Sequence, residues 1–158
     1  VEGLRGKLAE LLRRRAALVF LGNELRGDDA AGLRVGRLLL RLCGRRDALI
    51  LCPGGLENCA GEVRRAAAEV VILVDAVDAG LEPGAVVLAS LSSERCPPPL
   101  STHDLPKGLL LSLAGVREAW VLGVQVGSLE VGSPLSPEVS RACEALAGLL
   151  AGLLCGTR

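Results

Sequence analysis

The sequence predicts an α/β fold on a five-stranded, mostly parallel sheet with one antiparallel strand. Three observations predict it. Short apolar runs alternate with segments whose apolar residues recur at helical spacing. One run, Val70-Val71-Ile72-Leu73-Val74-Asp75, is almost continuously β-branched, as a strand buried on both faces requires. The link after it is only about nine residues long. A parallel crossover needs roughly a dozen or more, so the next strand runs antiparallel.

The elements follow in order. Leu4, Leu8, Leu11 and Leu12 share one helical face, which predicts a helix over 2–15. Strand one is 16–21. Helix two covers about 29–43, with Leu33, Leu38, Leu39 and Leu42 on or near one face. Strand two, 47–52, stops at Pro53-Gly54-Gly55, and 57–68 is helical. Strand three is 70–75. The turn Glu82-Pro83-Gly84 leads into strand four, 85–89. Pro97-Pro98-Pro99 makes a stiff loop, 105–113 a helix, 119–124 strand five and 137–154 the last helix. At 158 residues the chain, 1–158, is expected to form a single domain.

Composition narrows the function classes. Lys+Arg and Asp+Glu balance at 18 each, so no net field favours nucleic acid or an anionic membrane. Tyr is absent, and Phe and Trp occur once each, which leaves no stacking platform for bases. Arg13-Arg14-Arg15 reads as the solvated end of a helix. Six cysteines, at 43, 52, 59, 96, 143 and 155, contain no C-x-x-C pair. Cys43, Cys52 and Cys143 look like small buried hydrophobes, so a reduced, cytoplasmic setting without disulfides is expected. Nothing resembles a signal peptide or a membrane span, and no membrane insertion is expected.

Chemistry concentrates at strand ends. Gly22-Asn23-Glu24-Leu25-Arg26-Gly27-Asp28-Asp29 sets two carboxylates between strand one and helix two. Asp75 ends strand three. Open α/β sheets place ligands at that carboxyl edge. His103, the sole histidine, precedes the helix 105–113. If strand five is parallel to strands one and three, that helix starts at the same edge. The loop 91–102 spans the return, since about 12 extended residues reach roughly 40 Å. Each residue also has a plainer role. Asp28 or Asp29 serves as a helix N-cap, Asp75 caps a turn, and His103 is a surface residue. Capping needs only one of the two adjacent carboxylates. Two carboxylates and an imidazole together suit a borderline divalent metal, and ligand type alone does not separate zinc, nickel and iron.

Other motifs are missing. The glycines do not form G-x-G-x-x-G, and no acidic residue ends strand two to hold a ribose. There is no G-x-x-x-x-G-K-[ST] and no G-x-S-x-G elbow. Cys96 near His103 is not a supported cysteine nucleophile.

With these blocks together, the chain resembles the maturation endopeptidases of NiFe hydrogenases, closest to the branch that processes the large subunit of hydrogenase 3-like enzymes. The resemblance runs from about Val19 to Leu150. It is carried by Leu21-Gly22-Asn23-Glu24-Leu25-Arg26-Gly27-Asp28-Asp29, by the stretch from Val74 to Gly84, and by Ser101-Thr102-His103-Asp104-Leu105-Pro106. Gly54-Gly55-Leu56-Glu57-Asn58 and Val121-Leu122-Gly123-Val124-Gln125 add weaker support. Phe20 replaces the first glycine of the usual G-x-G-N, Leu56 a common proline, and Val126 another.

The resemblance implies a three-layer α/β/α sandwich. It implies that Asp29, Asp75 and His103 are the metal-binding and catalytic residues, and that Gly54 and Gly55 contact substrate. It also implies the activity: a metal-dependent endopeptidase that removes the C-terminal extension of a hydrogenase large-subunit precursor, with nickel supplied by that substrate. No protein nucleophile is evident, so water is the expected attacking group. Two rivals share the crevice. One is a non-catalytic metal-binding or chaperone module for hydrogenase maturation. The other is a nucleotide- or flavin-binding domain, which the poor glycine fingerprint disfavours.

Overall fold

The computed structural model describes residues 2–91 and 115–156. His103, Cys96, the triple proline and the predicted helix 105–113 lie outside the described residues. The strands are β1 (Ala16–Gly22), β2 (Leu49–Pro53), β3 (Val70–Val77), β4 (Val86–Ser90) and β5 (Glu118–Gln125). Among the described residues the helices are α1 (Glu2–Arg13), α2 (Ala31–Cys43), α3 (Ala60–Ala66) and α4 (Pro137–Cys155). Short 3-10 turns, Gly27–Ala30 and Leu56–Cys59, open α2 and α3.

The strands form one sheet in the order β2-β1-β3-β5-β4. All pairs are parallel except β4 with β5, where Val86 faces Val124 and Ser90 faces Trp120. The short link between β3 and β4 has the expected consequence. β3 is buried at all eight positions, as its β-branched run requires. The chain leaves β1 for β2 on one side, then crosses to β3 on the other. The carboxyl ends of β1 and β3 therefore flank a topological switch point, where crevices form in open α/β sheets.

Alternation along each strand feeds two cores. Leu18, Phe20, Ile72, Val74 and Leu122 face α1, α2 and α4. Val19, Leu21, Leu73 and Val121 face α3. Leu8 and Leu11 are fully buried on α1, whereas Leu42 on α2 is half-exposed and falls outside its predicted face. No helix among the described residues is long and apolar enough to cross a membrane. The basic cluster after α1 is not a free patch, because Arg14 pairs with Glu118 and Glu69.

The cysteines depart from expectation. Cys43 is bonded to Cys155, and Cys52 to Cys59. The Cα separations, 5.9 and 6.0 Å, are ordinary for disulfides. Cys43 ends α2 and Cys155 ends α4, and these two helices pack along their length. The 112-residue separation hides that pair from any spacing rule. Cys143 is buried and unpaired, as predicted, and burial pushes its thiol up to about 12.

The Cys43–Cys155 bridge closes most of the chain, so its loss releases much unfolded-state entropy. Cys43→Ser is expected to cost about 2–5 kcal/mol in denaturant melts. Reductant should lower the wild-type melting midpoint, and coincident wild-type melts with and without reductant would count against the bridges.

Candidate active site at the carboxyl edge

The loop after β1 folds tightly on itself. The Asn23 N–H donates to the Asp29 carbonyl (3.1 Å), and the Asp29 N–H donates to the Arg26 carbonyl (3.0 Å). The Leu25 N–H donates to Asn23 Oδ1 (2.9 Å). These bonds carry the chain from β1 into the 3-10 turn, which touches the end of β3. Gly32, three residues beyond Asp29, seats α2 on the strand ends. A Cβ there would lie 2.2 Å from the Leu21 carbonyl oxygen and 2.3 Å from that of Val74, and 3.0 Å from the Asp75 Cα. Backbone atoms cannot yield as a flexible side chain does, so only glycine fits.

Asp29 is half-buried on that turn. Asp75 stands one residue beyond the last β1–β3 pair, Phe20 with Val74, and is only 6% exposed. Its Oδ1 accepts the N–H of Ala76 (2.8 Å). The fold therefore brings Asp29 and Asp75 to adjacent strand ends. His103 lies outside the described residues. Among the described residues no three His, Cys, Asp or Glu side chains gather closely enough to hold a metal ion. Two carboxylates at a switch point can attract a divalent cation and supply part of its ligand set.

Asp28 does something the sequence reading did not assign. It caps neither the 3-10 turn nor α2. It is fully buried, and its carboxylate accepts four hydrogen bonds from a distant loop. Gly127 N–H (2.7 Å), Ser128 N–H (2.8 Å) and Ser136 O–H (2.6 Å) donate to Oδ2, and Ser136 N–H (2.7 Å) to Oδ1. Three of these bonds fall on Oδ2 and one on Oδ1, so both oxygens of Asp28 are engaged by protein donors. Burial pushes its carboxyl up, but the bonds from Ser136, Ser128 and Gly127 outweigh that and hold it below the ordinary carboxylate value.

Gln125 is a second organiser that sequence reasoning missed. Nearly buried at the end of β5, it accepts the N–H groups of Ala79 (2.8 Å) and Leu81 (3.3 Å) at Oε1. Its Nε2 donates to Asp78 Oδ1 (3.2 Å) and the Val126 carbonyl (3.1 Å). It thereby orders the loop that follows Asp75. A polar residue ending a buried strand is the sequence signal for such a role. Gly54 and Gly55 follow β2 at this same edge, since Pro53 pairs with Gly22. Their φ values, +87° and +125°, disfavour other residues, and the Cys52–Cys59 bridge closes the loop that contains them.

The Asp28 network makes a pH-dependent contribution. A carboxyl held below its unfolded value stabilises fully above about pH 4 and loses that effect as pH falls through its folded pKa. Asp28→Asn, with an amide facing N–H donors, should cost about 2–4 kcal/mol at pH 7. The gap from wild type should narrow in melts below about pH 4. A constant gap from pH 7 to pH 2 would contradict the charged role.

The family model for hydrogenase maturation proteases matches residues 56–152, a stretch that holds Asp75 but begins after Asp29. No curated protein matches the chain. Among solved structures, the NiFe hydrogenase maturation protease HycI from Thermococcus kodakarensis is 29% identical, with a TM-score of 0.81 over 94% of this chain and 99% of that one. HybD from the same organism is 25% identical, with a TM-score of 0.62 over 89% of this chain and 99% of that one. The endopeptidase HycI from Escherichia coli, 24% identical over 87% of this chain and 89% of its own, has a TM-score of 0.71 and shares the fold. The profile spans more than half of the chain, and the chain belongs to the hydrogenase maturation protease family.

Proposed function

We propose that the protein is a metal-dependent endopeptidase that removes the C-terminal extension of a nickel-loaded hydrogenase large-subunit precursor, in the branch that serves hydrogenase 3-type enzymes. The observation that carries this reading is the pair Asp29 and Asp75 at adjacent strand ends of a switch-point crevice, in a chain of this family. Cytoplasmic action belongs to the same proposal. The two disulfides must then persist there, as intracellular bridges of hyperthermophiles do.

In this mechanism the nickel arrives with the substrate. Asp29, Asp75 and His103 complete its coordination and fix the position of the tail. Positioning makes the reaction effectively unimolecular. Held by these residues, the substrate's ion would supply Lewis-acid polarisation to the scissile carbonyl or the attacking water. Gly54 and Gly55, with no side chains in the way, contact the backbone of the tail. A precursor without nickel offers the three ligands nothing to grip and is left uncut.

Asp29→Asn keeps side-chain shape but removes the charge that a divalent ion needs. It should fold and melt close to wild type, yet lose on the order of 10²-fold or more in processing rate. Asp75→Asn and His103→Ala should lose activity likewise. Intact mass of nickel-loaded and nickel-free precursor after incubation reads the result. Full processing by folded Asp29→Asn would falsify its assigned role, and binding without cleavage by wild type would favour the chaperone reading.

A further inference from the structure

The two disulfides stand at opposite edges of the sheet. Both α2 and α4 start at the carboxyl edge and end at the amino edge, where Cys43–Cys155 joins their last residues. α2 is 13 residues long, so that bridge lies about 20 Å from the turn that carries Asp29. Cys52–Cys59 lies at the carboxyl edge instead. Cys52 pairs in register with Leu21, and Pro53 with Gly22. Gly22 in turn backs onto Asp29, since a Cβ there would lie 2.5 Å from the Asp29 carbonyl oxygen. The loop 53–58 therefore springs from a strand end that abuts the Asp29 turn.

Loop length separates what the bridges do. A crosslink stabilises mainly by restricting the unfolded chain, and the effect grows with the loop it closes. Cys43 and Cys155 are 112 residues apart, Cys52 and Cys59 only 7. The short bridge restricts the unfolded chain least, and its main consequence is in the native loop. That loop needs a restraint. Gly54 and Gly55 are adjacent glycines at positive φ, and glycine loses more freedom on fixing than any other residue. The Asn58 N–H, donating to the Gly55 carbonyl (3.1 Å), and the buried side chain of Leu56 secure the far half of the loop. The bridge secures its base. Cys52 Sγ lies 3.1 Å from the Gly55 carbonyl oxygen, and both cysteines are buried.

We infer that Cys52 and Cys59 are positioning residues for the loop of Gly54 and Gly55, and that their bridge sets the affinity for the precursor tail. This rests on the reading in which those glycines contact the tail, and deepens it with a dependence on oxidation state. With the bridge closed, the loop meets the tail already ordered. With the bridge open, binding must also order two glycines, and affinity falls. A dithiol opens the bridge. One of its thiolates attacks a bridge sulfur, the second displaces the cysteine from the mixed disulfide, and the dithiol leaves as a cyclic disulfide. Two electrons and two protons pass to Cys52 and Cys59, which become thiols.

The test uses a Cys43→Ala/Cys155→Ala variant, in which Cys52–Cys59 is the remaining bridge among the described residues. Its oxidised form is compared with the same protein reduced by dithiothreitol, the reagent then being removed without air. Alkylation and intact mass report the state of the bridge. Both forms are titrated with nickel-loaded precursor and assayed for processing. Opening the bridge should raise KM and Kd at least about tenfold. The kcat should stay within about twofold, because neither sulfur touches the reacting atoms. Reoxidation should restore the affinity. The oxidised variant should melt below wild type at unchanged KM, since the bridge it lacks is remote from the loop. Cys52→Ala/Cys59→Ala in the otherwise native chain supplies the same comparison if the first variant does not fold. Equal KM and Kd with the bridge open and closed, with processing intact, would overturn the inference and leave the processing reading standing. A loss confined to kcat would overturn it too. If wild type binds without cleaving, the processing reading fails and the Kd comparison alone decides. Wild type that neither binds nor cleaves the precursor would sink the processing reading, and the inference with it.

Discussion

The direct seat of α2 on the ends of β1 and β3 is the constraint on which the crevice depends. A helix normally stands off a sheet by the width of its side chains. At Gly32 that width vanishes, and helix backbone meets the carbonyls of Leu21 and Val74 and the Cα of Asp75. The 3-10 turn just before it is thereby held against β3. Asp29 then has little freedom to leave Asp75. Any side chain at position 32 would lift the start of α2 and separate the two carboxylates. The approach of the Asp29 turn to the end of β3 is thus set by the absence of a side chain, three residues from Asp29.

Adjacent aspartates divide the work. Asp28 is buried and spends both oxygens on four donors from the loop 127–136. Those bonds replace water around its charge, which would otherwise be costly to bury. They also tie the start of α4, whose N-cap is Ser136, to the turn that carries Asp29. Gln125 does the same for the loop after Asp75, at no cost in charge. Asp29 therefore sits on a turn, and Asp75 on a strand just before a loop, that a neighbouring polar side chain fixes. That is the support an exact ligand geometry requires.

Much of the fold is legible in the sequence because it depends on local pattern. The β-branched run of β3 announces double-sided burial, and the length of the next link dictates the antiparallel β4. The position of Asp29 and Asp75 follows from strand order alone. What escapes is long-range pairing. The partners of Asp28 lie 99 to 108 residues away, so nothing near it distinguishes an anchor from a helix cap. Cys43 and Cys155 meet only because α2 and α4 pack together. Leu42 shows the limit of helical periodicity, which identifies a face but not where the neighbouring element ends.

The pairing of Asp28 also explains how a crevice so rich in carboxylate can discriminate among its own residues. Three aspartates with equal access to an ion would bind it in several arrangements, each placing a substrate tail differently. Engaging one of them with N–H and O–H donors at both oxygens weakens it as a competitor without removing its charge. That charge still adds to the negative potential at the carboxyl edge, which draws cations and basic surfaces toward the switch point. Under the proposed reading, coordination would fall to Asp29 and Asp75, which stand where the seat of α2 brings the 3-10 turn against β3. All three aspartates would then contribute to the attraction, and two to the geometry.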